Sequence, residues 1–193
     1  MNINMTAILL AAGLSRRMCG QDKLLLPYRG KALLQRAVEL LDALPCREKI
    51  LVTTPPRLDS ILLPPGVHAV INPCPEGGQS TSLRLGLGLA TGEWFVFLAA
   101  DQPGLTIARV LPLLELAKDN PDKIICPTVN GVPCSPTVFP ARFRAELLRL
   151  TGDTGGRAIR AAHPEDCLSL ETVSPEEFMD IDNPEDYNRL LQS

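Results

Sequence analysis

Long apolar runs are missing from this chain: the longest, Ala7 to Ala12 and Trp94 to Ala100, fall far short of the roughly 20 residues that span a bilayer. No membrane span is expected. The N-terminal stretch Met1 to Ala12 also lacks a basic region ahead of its apolar residues, so it reads as a strand and not a signal peptide. Excess positive charge is absent too. With 19 Lys and Arg against 22 Asp and Glu, the net charge of -3 gives no general attraction to nucleic acid or anionic lipid. Histidine is scarce, with His68 and His163 alone, and the six cysteines (Cys19, Cys46, Cys74, Cys126, Cys134, Cys167) form no CxxC pair. A zinc site is therefore disfavoured, and reduced thiols in a cytoplasmic protein are the economical expectation. Aromatics make up only 4% of residues.

Aliphatic residues, 14 glycines and 18 prolines are plentiful, the mixture of a globular protein with buried strands and tight turns. Nothing resembles a linker long enough to separate two domains, so residues 1–193 are expected to form a single one. Met5 to Leu10 is a continuous apolar run ending near Gly13, as a strand buried on both faces would be. From Lys31 to Leu44 the apolar positions fall at helical spacing and stop at Pro45. Lys49 to Thr53 reads as a strand, the proline-rich stretch after it as loop with little helix, and His68 to Ile71 as another strand. Ser80 or Thr81 can cap a helix running to about Leu89. Trp94 to Leu98 is the clearest strand, and Thr106 can cap a helix in which Pro112 predicts a kink or restart. Further on, Lys123 to Cys126 and Thr137 to Phe139 read as strands. Ala141 to Leu150 and Gly156 to Ala162 read as helices, Leu168 to Leu170 as extended, and Pro184 as the start of a last helix. Strands alternating with helices predict right-handed βαβ units and a mainly parallel sheet, which binds ligands at the carboxyl ends of its strands.

The loop after the first strand is built for such a role. Ala11, Ala12 and Gly13 let the backbone approach a ligand, successive N–H groups can cradle phosphate oxygens, and Arg16 and Lys23 add full charges. Two common phosphate motifs fail: GxxxxGK[ST] is not matched, because Lys23 lies between Asp22 and Leu24, and GxGxxG is absent. Solvated basic residues after a strand-ending glycine would account for the loop equally well on composition alone. Asp101 follows a fully apolar strand and precedes Gln102 and Pro103, which puts a carboxylate at the ligand edge of the sheet. Mg²⁺ suits it, since this ion takes one or two protein carboxylates together with substrate phosphates. Asp180 and Asp182 flank Ile181, so in extended chain both point one way and either could complete the metal site. The alternative is a helix cap, by Asp182 or Asn183, ahead of Pro184. Cys134, Ser135, His68 and His163 form no recognisable nucleophile and base.

Read together, Leu10-Ala11-Ala12-Gly13-Leu14-Ser15-Arg16-Arg17-Met18 and Lys23 resemble the LAAGxSxRM…K signature of the MobA-like NTP transferases, the molybdopterin nucleotidyltransferase family. The resemblance continues through Gly78-Gln79-Ser80-Thr81-Ser82-Leu83, Asp101-Gln102-Pro103, Gly152-Asp153-Thr154-Gly155-Gly156-Arg157 and Asp180 to Asp186, in order. It implies an α/β fold, a Rossmann-like three-layer α/β/α sandwich with a mainly parallel mixed sheet of the nucleotide-diphospho-sugar transferase type. The activity it implies is transfer of a nucleoside monophosphate from an NTP to the terminal phosphate of molybdopterin, with release of pyrophosphate. By the same resemblance Arg16, Lys23 and Asp101 are catalytic. Leu10, Ala11, Ala12, Gly13, Ser15, Arg16, Lys23, Gln79, Ser80, Ser82 and Asp101 bind nucleotide, and Asp101 and Asp182 hold Mg²⁺. A molybdoenzyme receiving the cofactor is an implied partner.

The alanine form of the loop is similar to the cytidylyl branch and points to CTP. The spacing of Met18-Cys19-Gly20-Gln21-Asp22-Lys23 is that of the guanylyl branch, and Cys134-Ser135-Pro136 stands where the cytidylyl branch commonly has GHP, so GTP or another phosphorylated acceptor stays open. A different class, a non-catalytic nucleotide- or cofactor-binding accessory protein, would keep Arg16 and Lys23 without needing Asp101.

Overall fold

A computed structural model of the chain describes residues 3–172 and 174–192; Met1 and Asn2, counted above with the N-terminal strand, lie outside the described residues. Among the described residues the strands are β1 (Ile3–Leu10), β2 (Pro27–Tyr28), β3 (Lys31–Ala32), β4 (Cys46–Thr53), β5 (His68–Ile71), β6 (Trp94–Ala99), β7 (Ile124–Val129), β8 (Val132–Pro133), β9 (Thr137–Pro140) and β10 (Cys167–Glu171). Among them run the helices α1 (Leu33–Ala43), α2 (Pro55–Leu58), α3 (Gln79–Leu89), α4 (Ile107–Asp119), α5 (Arg144–Arg149), α6 (Gly156–Ala162) and α7 (Pro184–Leu191).

The main sheet has the order β10-β7-β9-β6-β1-β4-β5, with β8 paired to β7. β1 lies parallel to β4 and β6, whereas β9 runs antiparallel between β6 and β7. The chain leaves β1 for β4 on one side and reaches β6 on the other, so the strand order reverses at β1. Alternation along β1 divides the core in two. Met5, Ala7 and Leu9 face Leu34, Val38 and Leu41 of α1 and Val110, Leu113 and Leu114 of α4. Ile8 faces the opposite layer with Leu83 and Leu87 of α3, Leu147 of α5 and Ile159 of α6. Helices thus cover both faces of a mixed, mainly parallel sheet, the three-layer architecture expected.

Several local expectations need correction. The proline-rich stretch after β4 contains the single-turn helix α2, opened by Pro55 at a position where a missing N–H costs nothing. Helix α3 begins at Gln79 and takes Gly78 as its N-cap, with φ of 87°, not Ser80 or Thr81. Its first amides are satisfied from far along the chain, Gln79 N by Asp153 Oδ1 at 3.3 Å and Ser80 N by the Gly152 carbonyl at 3.1 Å. Helix α4 runs unbroken through Pro112. Pro112 and Ala108 are both exposed, so the carbonyl that the proline leaves without a donor lies on the face open to water. Between β9 and α5 the segment Ala141–Phe143 is a 3-10 turn, so the helix expected from Ala141 starts at Arg144. Asn183 is the cap of α7, in a reciprocal capping box with Asp186, which leaves the Asp182 carboxylate for other contacts.

Candidate functional site

A cleft of ≈ 510 Å³ opens at the carboxyl ends of β1 and β6, where the strand order reverses. Such reversal points are where open α/β sheets hold ligands, because the loops leaving the two strands diverge there. Leu10, Ala11, Ala12, Gly13, Ser15, Arg16 and Lys23 line it from the first loop, Gln79 and Ser82 from the start of α3, and Asp101 and Asp182 from the remaining side. Of the nucleotide-facing residues expected from the sequence, Ser80 alone falls outside this lining. It is fully buried, and its Oγ has no hydrogen-bond partner among the described residues.

Lys23 is the hub of the charged wall. Its Nζ donates to Asp101 Oδ2 at 2.6 Å and to the Ile181 carbonyl at 2.7 Å, and lies 3.4 Å from Asp182 Oδ1. Ile181 N in turn donates to the Asp101 carbonyl at 2.9 Å, so the C-terminal segment is pinned beside β6. Arg17 Nη2 adds a second cation 2.7 Å from Asp182 Oδ1. Asp180 stands near the same group. Desolvation, then the like charges of Asp101 and Asp182, push its carboxyl up to about 7. Of the two carboxylates flanking Ile181, Asp182 is the one that meets Lys23 together with Asp101. Arg16 lines the cleft, exposed and without an ion-pair partner among the described residues. Two carboxylates converging on one ammonium form a donor set of the kind that a hard divalent cation takes.

The first loop depends on a residue that its local sequence does not reveal. Arg57, in α2, donates through Nη1 to the Ala11 carbonyl at 2.7 Å and through Nη2 to the Gly13 carbonyl at 2.6 Å. Its Nε and Nη2 also grip Asp22 at 2.7 and 2.8 Å. Asp22 Oδ1 accepts from Leu24 N at 3.1 Å and so caps the turn that carries Lys23. Ser82 accepts from Asn72 Nδ2 at 3.0 Å, leaving its own hydroxyl hydrogen free to donate. A smaller cavity of ≈ 100 Å³ adjoins the cleft, sharing Leu10, Gln79 and Ala99 and lined further by Ser135, Arg157 and Arg160. His163 lies elsewhere, bonded to Glu146 at 2.7 Å, and its neighbour Asp166 is held by Arg142 at 2.8 Å. No covalent nucleophile and base come together from Cys134, Ser135 and the two histidines.

Fold and cleft together define an α/β protein with a ligand cleft at the switch point of a mixed, mainly parallel sheet. Within that class, the chain belongs to the MobA-like NTP transferase domain family, whose model matches residues 7–167. A probable molybdenum cofactor guanylyltransferase of Synechococcus elongatus is 39% identical over 108 residues, 55% of this chain and 55% of the relative. The chain thus spans little more than half the length of this relative in the match. A probable molybdenum cofactor guanylyltransferase of Nostoc is 32% identical over 196 residues, covering 95% of this chain and 88% of the relative. A protein of Paenarthrobacter nicotinovorans named nicotine blue oxidoreductase is 29% identical, covering 96% of each chain. Among solved structures, a homolog of Mycobacterium tuberculosis Rv0371c from Mycobacterium sp. strain JC1 superposes with a TM-score of 0.83 at 25% identity, over 100% of this chain and 97% of the other. A manganese complex of Rv0371c itself superposes at 0.78 and 23% identity, over 98% of each chain.

Proposed function

We propose that this chain transfers a nucleoside monophosphate from a nucleoside triphosphate to the terminal phosphate of molybdopterin and releases pyrophosphate. The observation that carries the reading is Lys23, fixed between Asp101 and Asp182 in the wall of the cleft. Nucleotidyl transfer asks little covalent chemistry of a protein. The acceptor phosphate is already anionic, so alignment and charge neutralisation carry the rate and no general base is required. In this reading the loop from Leu10 to Lys23 wraps the triphosphate. Arg16 and Lys23 neutralise its oxygens, and Gln79 and Ser82 face the ribose or base. The acceptor approaches from the side of Arg157 and Arg160.

Asp101 and Asp182 are the residues that would hold a divalent ion, with Mg²⁺ the expected one; the manganese complex of the Rv0371c protein supports divalent-metal use. When bound, the ion supplies charge neutralisation between the triphosphate and acceptor oxygens. A molybdoenzyme taking up the finished cofactor is the partner this activity implies.

The loop Leu10-Ala11-Ala12-Gly13 supports CTP as the donor. A second reading, GTP, is favoured by the cyanobacterial relatives named guanylyltransferases. The relative named an oxidoreductase suggests another class, but a cleft walled by Lys23, Arg16 and paired carboxylates suits phosphate chemistry better than electron transfer. The deciding experiment measures pyrophosphate release from each NTP with molybdopterin and Mg²⁺. Turnover with CTP supports the first reading and turnover with GTP alone the second. NTP binding without turnover on any phosphorylated acceptor would replace both with an accessory nucleotide-binding role.

A further inference from the structure

Arg57 lies behind the loop and is only 4% exposed. Its guanidinium reaches both ends of the segment, the Ala11 and Gly13 carbonyls at one and Asp22 at the other, with Ser15 Oγ 3.4 Å from Nη2 between them. In a trans peptide the carbonyl of one residue points opposite to the N–H of the next. Holding the Ala11 and Gly13 oxygens on Arg57 therefore turns the amides of Ala12 and Leu14 away from it. Both residues line the cleft, and among the described residues no group accepts from either amide. Ala12 is 2% exposed, so its donor is shielded from bulk water and is best satisfied by a ligand. Buried N–H groups in native proteins are nearly always paired, which makes an unpaired one at a cleft wall informative.

We propose that Arg57 is a positioning residue for the triphosphate. It touches no substrate; it cinches residues 11–22 so that the amides of Ala12 and Leu14 converge with Lys23 on the same phosphate oxygens. This role rests on the nucleotide-transfer reading above. Lysine cannot replace it, because one ammonium lacks the planar fork that grips two carbonyls and a carboxylate together. Asp22 is the second half of the clasp and links it to the turn that presents Lys23.

The test compares wild type with Arg57→Lys and Asp22→Asn in two measurements: steady-state kinetics with CTP or GTP, molybdopterin and Mg²⁺, and amide hydrogen exchange of the ligand-free protein. In Arg57→Lys the nucleotide KM is expected to rise about tenfold or more, the scale of losing charge-assisted hydrogen bonds, while the KM for molybdopterin stays unchanged. Exchange is expected to accelerate across residues 11–22 while β1 and β6 keep their protection. Wild-type nucleotide KM in a folded Arg57→Lys protein overturns the proposal. So does unchanged loop exchange, or a uniform acceleration across the sheet that marks general destabilisation. Should Arg57→Lys fail to fold, Asp22→Asn decides by the same two readouts. If wild type turns over neither nucleotide, the transfer reading falls by itself, and loop exchange still decides for or against Arg57 as the residue that orders the loop.

Discussion

Lys23 shows how much one side chain can hold together. Its ammonium is shared among two carboxylates and a backbone carbonyl, so without ligands it neutralises the same groups that would hold a cation. Asp101 and Asp182 are partly open to solvent, with side-chain exposures of 23% and 33%, so water can screen them once Lys23 is removed. Lys23→Ala and Asp101→Ala are therefore expected to fold, yet to lower transfer by about two powers of ten or more, the scale of losing one electrostatic stabiliser. Near-wild-type turnover in either variant would remove the proposed site. Lys23 and Asp101 were legible because each follows a recognisable strand and loop pattern. Arg57 was not, because the atoms it grips lie 35 to 46 positions away and no local spacing links α2 to the first loop. The cysteines differ by environment in the same residue-by-residue way. Burial pushes the Cys46 thiol up to about 12 and Cys134 up to about 11, whereas Cys19 and Cys74 are exposed. The thiolate is the reactive form, and a raised pKa keeps Cys46 and Cys134 protonated as pH rises from 7 to 9. Iodoacetamide mapping of native protein over that range should mark Cys19 and Cys74 first; equally fast labelling of Cys46 would contradict this.

Among the elements, the start of α3 depends most on distant chain. A Cβ on Gly78 would stand 2.3 Å from the Gly152 carbonyl carbon and 2.7 Å from Asp153 N, and the backbone there has a positive φ of 87°. Gly78→Ala is therefore expected to push the 152–153 loop off the helix N-terminus and cost about 1–3 kcal/mol. Urea titration of the variant measures the cost, and an unchanged midpoint would show that the approach is dispensable. The capping candidates Ser80 and Thr81 pointed to a helix ending near Leu89, although the leucines of α3 at Leu83, Leu85, Leu87 and Leu89 alternate and only Leu83 and Leu87 among them are buried. Its beginning was hidden because the groups that satisfy its first amides come from more than 70 residues downstream, as the separation of 74 between Gln79 and Asp153 shows. Strand direction was hidden likewise. Thr137 to Phe139 could be read as extended, but alternation carries no sign, and only pairing with β6 and β7 shows β9 to be antiparallel.

Over the molecule as a whole, ligand binding and stability must be linked, because a nucleotide that engages the cleft binds the folded chain and not the unfolded one. At 100 times its Kd such a ligand adds about 2.7 kcal/mol to stability. Thermal melts with Mg²⁺ and either CTP or GTP should therefore show a rise in Tm, larger for the preferred base and diminished in Lys23→Ala. No rise with either nucleotide would count against the cleft as a nucleotide site. Most of the architecture was legible at this scale, since alternating strands and helices already imply a layered sheet with its ligand edge at the carboxyl ends. How the chain closes on itself was not. Lys23 reaches the Ile181 carbonyl across 158 positions, and Tyr187 Oη bonds the Pro27 carbonyl across 160. A ribosome adds roughly 5–20 residues per second, so Lys23 emerges many seconds before the segment that fixes it. During synthesis the loop with its cations is exposed for that interval without Ile181 and Asp182, and the finished charge arrangement cannot form until they have emerged.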